Sequence, residues 1–254
     1  MPSFKNVNWE KLSWIAAIEL SAVMVVLALF LPGGMDIRVY YQPFARGCLD
    51  CGFVPYYVQA MLAPMLLTSW KYVWALWTLI TMVGLLWVAK RTRINPLIFI
   101  LTFPMIGQFW LGQIDVLLCI GALLAIREKN PYLRGLGILL LLVKPQIAIL
   151  AVLYLLYREK KSEIVKVLAV PVAVFALSLL VYGWDWPLEW FANATSNIPD
   201  HIWKQASAML WPYALILLPV PFLHFILRNG DNLLPHYLED NFKQFMRGFE
   251  IFTR

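Results

Sequence analysis

The feature that most constrains this chain is an apolar run close to its N-terminus. Residues 13–31 contain one charged residue, Glu19, and the run is long enough for a helix to cross a bilayer. Comparable runs follow at 70–89, 167–182 and 210–227. In lipid every backbone polar group needs an internal partner, which a helix supplies within one segment. The sequence therefore predicts an all-α, polytopic transmembrane bundle.

The composition agrees with this class. Hydrophobic residues make up 61% of the chain and charged residues 14%, and the mean hydropathy is +0.68. Such a chain has too little polar surface to cover a soluble globule of 254 residues. The net charge of +6 comes from short basic clusters between the apolar runs. Clusters of that kind are typical of topology signals and of contact with membrane lipids, so no nucleic-acid partner is expected.

The basic residues also predict an orientation, since Lys and Arg accumulate on the cytoplasmic side of membrane proteins. Before residue 231, 13 of them lie in the segments predicted to be inside and five in those predicted to be outside. Lys5 and Lys11 precede the first span, so the N-terminus is predicted to be cytoplasmic. The predicted outer positions are 38, 46, 71, 144 and 204.

The pattern predicts about eight membrane helices. Two apolar stretches, 94–126 and 135–157, are broken by Gly, Pro and polar residues, which indicates two hairpins of short helices. An apolar segment at 55–66 is too short to span and is predicted to lie as an amphipathic helix on the outer interface. Residues 1–230 are assigned to a transmembrane domain, and residues 231–254 to an amphipathic tail on the cytoplasmic side.

Residues 32–59 form the longest polar interruption between the first two apolar spans, on the predicted outer face. Asp36 follows the first span directly, and a carboxylate held there with little water could act as a general base. A solvated loop acid is the alternative. Arg38 and Arg46 fit either a phosphate, through the planar guanidinium fork, or ordinary ion pairs within the loop.

The two hairpin tips supply the other candidates. Lys144 lies between two apolar runs, where a charge costs roughly 2.5 to 3.5 kcal/mol at mid-membrane depth. It could snorkel to headgroups, hold a lipid-linked phosphate, or neutralise Asp115. Gln113 and Asp115 at the first tip are candidates for binding sugar hydroxyls, as are Tyr40, Tyr41 and Gln146.

The cysteines and histidines predict little chemistry. Three cysteines are too few for a disulfide scaffold, and Cys48 and Cys51 are expected to form a local disulfide or to remain two free thiols. The three histidines are scattered, so the sequence suggests no metal site and no cofactor.

Four motifs together resemble a known family. They are MDIRVYYQPFARG at 35–47, PYY at 55–57, GQID at 112–115 and LLVKPQIAILAVLYLLYREKK at 141–161. In this order and spacing they are similar to the polyprenyl-phosphate-mannose-dependent α-mannosyltransferases of glycosyltransferase family 87, within the GT-C superfamily. The resemblance covers about residues 10–227. It implies an outer-face enzyme of a bacterial or archaeal cell membrane.

The resemblance also implies roles for particular residues. The donor would be a hexose, expected to be mannose, on a polyprenyl phosphate, and the acceptor a lipid or glycan. Asp36 would be the general base of an inverting transfer, while Gln113 matches the GQ element and Lys144 the KP element. Asp115 departs from the family, which often has Asn there. Lys144, Arg46 and Arg38 are assigned to the donor phosphate on physical grounds.

Two other functions fit the same pattern. Broken helices and charges at membrane depth are also typical of transporters, here of a lipid-linked glycan. The family usually continues with more spans than this chain shows, which favours a noncatalytic or truncated subunit that needs a partner.

Overall fold

The computed structural model describes residues 9–101 and 108–196 and consists of helices and turns there, with no strand in those ranges. The α-helices are α1 (Trp9–Phe30), α2 (Gln42–Ala45), α3 (Trp70–Thr92), α4 (Pro96–Leu101), α5 (Val116–Arg127), α6 (Pro131–Leu141), α7 (Pro145–Arg158), α8 (Ile164–Tyr182) and α9 (Trp186–Ser196). A π-helical segment spans Ile37–Tyr41, and 3₁₀ segments span Leu49–Cys51 and Tyr56–Leu66. The predicted all-α class is confirmed.

Three helices of the described part are long and apolar enough to cross a membrane: Glu10–Phe30, Tyr72–Thr92 and Ile164–Tyr182. They correspond to three of the predicted spans, and α5, α6 and α7 are shorter apolar helices. The protein is thus a helical membrane protein, while the total of about eight membrane helices stays a prediction. The predicted span at 210–227 and the tail at 231–254 lie outside the described residues.

Both irregular apolar stretches form short helices around a turn, as predicted. In the first stretch residues 108–111 are helical, the chain turns at Gly112, and α5 follows. In the second, α6 ends at Leu141 and α7 begins at Pro145, with Lys144 in the turn. A proline at the first position of a helix needs no hydrogen bond from its nitrogen, which explains where α7 begins.

Small residues let the middle helices pack with their backbones almost in contact. A Cβ atom added to Gly137 on α6 would lie 2.4 Å from the backbone nitrogen of Ala125 on α5. One added to Gly121 on α5 would lie 2.7 Å from the Gly137 carbonyl oxygen. Gly135 faces the backbone of α8 in the same way, at Val167. Close approach of this kind is how membrane helices gain packing energy without a hydrophobic driving force.

Basic side chains and ion pairs gather at one end of the bundle, which we call the basic end. Arg134 at the start of α6 pairs with Glu159 after α7, at 2.9 Å, and with Glu163 before α8. Arg91 on α3 pairs with Glu128 after α5 at 2.6 Å. The Arg134 side chain is 13% exposed, so its pairs are less screened by solvent than that of the exposed Arg91.

Residues 31–69 lie at the opposite end, which we call the site end, together with the two hairpin tips. The Tyr57 hydroxyl donates to the Leu142 carbonyl at 2.6 Å, and the Tyr182 hydroxyl donates to Gln59 at 2.7 Å. Trp186 at the start of α9 stacks on Tyr56 with ring centroids 5.4 Å apart. These contacts bring the first loop, the second hairpin and the end of α8 together.

The predicted helix at 55–66 is present as a 3₁₀ helix. One face of it is buried in the main apolar core through Tyr56, Val58, Leu62 and Met65. Its position at a lipid interface stays a prediction. Cys48 and Cys51, just before it, form a disulfide, so the structure selects the first of the two alternatives for this pair.

Candidate active site

The segment after α1 is placed by glycine packing. A Cβ atom on Gly33 would lie 2.2 Å from the ring of Trp74, and one on Gly34 2.5 Å from the same indole. The Gly34 nitrogen donates to the Trp110 carbonyl at 2.8 Å, which ties this segment to the first hairpin tip. Gly112 at that tip has φ +74° and lies against Ile37. This packing brings Asp36 beside the following residue of the tip, Gln113.

Gln113 connects the acid of the first loop to the lysine of the second hairpin. Its amide nitrogen donates to the Asp36 carboxylate. Its amide oxygen accepts from the Tyr41 hydroxyl at 2.9 Å and from the Lys144 ammonium at 2.5 Å. A flipped amide would place oxygen against a carboxylate and nitrogen against an ammonium, so these neighbours determine its orientation.

Lys144 forms the cationic part of the site. Its ammonium lies 2.5 Å from the Asp115 carboxylate, in addition to its bond with Gln113. The Lys144 side chain is 11% exposed and that of Asp115 is 35% exposed. A buried charge requires such partners, since an uncompensated ammonium away from water is costly. The predicted neutralisation of Lys144 by Asp115 is therefore present. These two residues form one cluster with Gln113, Asp36 and Tyr41.

The environment shifts the acid–base behaviour of the loop residues. Burial raises the pKa of Asp36 to about 6; the Lys144 cation lowers it, the Asp115 anion raises it, and the Gln113 hydrogen bond lowers it. Burial likewise raises the pKa of the Tyr41 hydroxyl, which keeps it a donor at neutral pH. A carboxylate with a pKa near 6 is a stronger base than a free aspartate and is still ionised at pH 7.

Three of the predicted site residues lie outside this cluster, and a fourth, Tyr40, lies within electrostatic range of Asp36. Arg38 is exposed and its guanidinium lies 5.3 Å from the centre of the Trp70 ring, while Arg46 is exposed after α2. Tyr40 packs against Phe53, and Gln146 is exposed in the first turn of α7. The phosphate and sugar roles assigned to these residues stay predictions.

Two tryptophans support the site but were not predicted. The Trp77 indole donates to the Gln113 carbonyl at 3.0 Å, and that of Trp74 donates to the Phe109 carbonyl at 3.0 Å. Both rings are on α3 and almost fully buried. They fix the backbone of the first hairpin tip against a long helix. In the sequence, their spacing of three residues indicates only that both lie on one face of a helix, which is also an ordinary packing pattern.

The ends of two helices add to the electrostatics. Asp115 immediately precedes α5 and Lys144 immediately precedes α7, so both helices begin at the site. The N-terminus of a helix carries a partial positive charge. In the described part of the chain, His, Cys, Asp and Glu side chains form no group of three or more that could hold a metal ion.

The family assignment rests on one comparison. The model of glycosyltransferase family 87 matches residues 39–227, which is most of the chain. The chain belongs to glycosyltransferase family 87. No curated protein and no solved structure gave a significant match.

Membership in family 87 makes the protein a membrane glycosyltransferase, consistent with a GT-C-like enzyme. The match includes Tyr41, Gln113, Asp115 and Lys144, so four members of the cluster lie in the family region. Asp36 precedes the first matched residue by three positions. Its assignment as the base therefore depends on the geometry at Gln113 rather than on the match.

Proposed function

We propose that the enzyme transfers a hexose, in our view mannose, from a polyprenyl-phosphate donor to a hydroxyl of a lipid or glycan acceptor. The observation that supports this most directly is the placement of one carboxylate, Asp36, beside one buried ammonium, Lys144, through Gln113. A base and a phosphate-binding cation a few ångströms apart are what such a transfer requires. The orientation proposed for the site is the outer face, since the basic end lies opposite to it.

In the proposed reaction the acceptor oxygen attacks the anomeric carbon of the sugar from the face opposite the phosphate. The bond from that carbon to the phosphate oxygen breaks, and its electron pair leaves with the polyprenyl phosphate. Asp36 takes the proton of the acceptor hydroxyl. Lys144 stabilises the charge that grows on the departing phosphate, and the anomeric configuration inverts. Phosphate leaves without being protonated, so the site needs no separate acid.

The direct test is transfer by the purified protein in nanodiscs. A radiolabelled polyprenyl-phosphate mannose is supplied with a lipid extract from a cell envelope, and the product is separated from the donor. Digestion of the product with linkage-specific mannosidases reports whether the configuration inverted. Labelled product from mannose and not from a glucose donor supports the proposal. Binding of the donor without any product, under conditions in which the protein stays folded, would contradict it.

The pH profile gives a second prediction. Because the base must be ionised, kcat/KM should fall tenfold per pH unit below an apparent pKa of about 6. Lys144→Gln removes a cation that lowers the pKa of Asp36, so the acid limb should move to higher pH. Rates measured from pH 5 to 8.5 for both proteins test this.

Arg46→Gln is the matched control for that shift. It removes an exposed cation at the same end of the bundle and should leave the position of the acid limb unchanged. An acid limb that stays in place when Lys144 is replaced would mean that Asp36 is not the titrating base.

A further inference from the structure

The Lys144 ammonium is already engaged within the protein. It lies 2.5 Å from the Asp115 carboxylate and donates to the Gln113 amide oxygen at 2.5 Å. The Tyr41 hydroxyl donates to the same amide oxygen at 2.9 Å. A phosphate that took the place of any of these three partners on the ammonium side would have to displace it.

The three partners differ in how firmly they are held. Tyr41 is 6% exposed and belongs to the apolar core, and its hydroxyl is also bonded to Gln113. Gln113 is held at both ends of its amide and at its backbone carbonyl, which accepts from Trp77. The Asp115 side chain is 35% exposed, and its only side-chain partner in the described part of the chain is Lys144. Its departure breaks the fewest other contacts.

Charge balance points to the same residue. Replacing the Asp115 carboxylate by a phosphate exchanges one anion for another, so Lys144 never remains buried without a counter-ion. Displacing Gln113 or Tyr41 instead would bring two anions to one ammonium. Asp36 is close enough for its pKa to be affected by Asp115, so a third negative charge there would be repelled by both acids.

We infer that Asp115 is an exchangeable counter-ion, which occupies Lys144 in the empty site and competes with the phosphate group of the donor. The inference rests on the proposed function, because it concerns the phosphate subsite of that reaction. Asp115 thereby sets the affinity for the phosphate and favours release of the polyprenyl phosphate after transfer, when the carboxylate returns to Lys144. In this role it acts through Lys144, as a positioning residue.

The test measures binding separately from transfer. Farnesyl phosphate and inorganic phosphate are titrated into the protein in nanodiscs, and tryptophan fluorescence reports binding. Asp115→Asn removes the competing charge, and its affinity for farnesyl phosphate should rise about tenfold, equivalent to about 1.4 kcal/mol. Asp115→Glu retains the charge and should bind within about twofold of the unaltered protein. Asp185→Asn, an exposed acid between α8 and α9, is the charge-matched control and should bind unchanged.

The outcomes separate this inference from the proposed function. The exchange is supported if Asp115→Asn binds farnesyl phosphate more tightly and the other two variants do not. If Asp115→Asn also binds inorganic phosphate more tightly, the phosphate group competes with Asp115 without any contribution from the lipid. Unchanged or weaker binding in a folded Asp115→Asn protein overturns the exchange. In that case product formation by the unaltered enzyme would still uphold the proposed function. Absence of both binding and transfer in the unaltered protein would overturn both.

Discussion

Asp36→Asn is expected to lower kcat/KM for sugar transfer by at least about a thousandfold, within the range by which a positioned base accelerates proton transfer. Asparagine has the shape of aspartate and its side-chain oxygen can still accept from the Gln113 amide, but it cannot take a proton. The loss should therefore appear in kcat, with KM for the donor changed by less than about threefold. Initial rates at several donor concentrations measure both quantities.

Asp50→Asn provides the control for that variant. Asp50 lies in the same loop, is exposed and accepts from Asn193 at 2.7 Å. Its replacement removes one negative charge from the site end and should leave the rate within about twofold. If Asp36→Asn retained more than a tenth of the activity, another group would have to be the base. Equal losses in the two variants would indicate a general effect of loop charge.

Gly112→Ala is expected to cause a large loss of stability at the first hairpin tip. The φ of +74° at this position costs an alanine about 1–3 kcal/mol. The added methyl group would also lie 2.8 Å from Ile37 and 3.2 Å from the backbone of Gly34. Relieving that overlap adds about 1–3 kcal/mol and moves Ile37, the neighbour of Asp36. A lowered thermal transition in detergent, together with lost transfer activity, is the expected result.

Gly47→Ala separates the two causes. Gly47 also has a positive φ, +106°, but a methyl group there would meet nothing within 4 Å. It should therefore show the cost of the backbone conformation without the overlap, and its activity should survive. A Gly47 variant as unstable as the Gly112 variant would show that packing between Gly112 and Ile37 contributes little.

Much of the fold followed from local properties of the sequence. The length of the run at 13–31 and the breaks around Gly112 and Lys144 correspond to α1 and to the two turns. These predictions succeed because a helix satisfies its backbone within one segment, and because glycine and proline interrupt that segment wherever they occur. The 55–66 segment was predicted as an interfacial helix, but its 3₁₀ geometry and buried face depend on neighbours distant in sequence.

The candidate site divides in a similar way. Asp36, Gln113, Asp115 and Lys144 could each be selected from the sequence, since a polar group beside an apolar run is costly unless it has a partner or a function. The sequence did not indicate which of these residues contact one another in the folded protein. Arg38 and Arg46 were assigned to the donor phosphate together with Lys144, and the structure places both in exposed positions away from it.

The sequence by itself determined the class of the protein, the helical segments and the family, because hydropathy, helix breakers and short motifs act over a few residues or one turn. Only the tertiary structure decided that Gln113 joins Asp36 to Lys144 and that Asp115 fills the remaining face of the ammonium. Those contacts join residues 29 to 77 positions apart. They depend on glycines at 33, 34 and 112 that let α3 and the hairpin tip approach the end of α1, and no local pattern specifies such an approach.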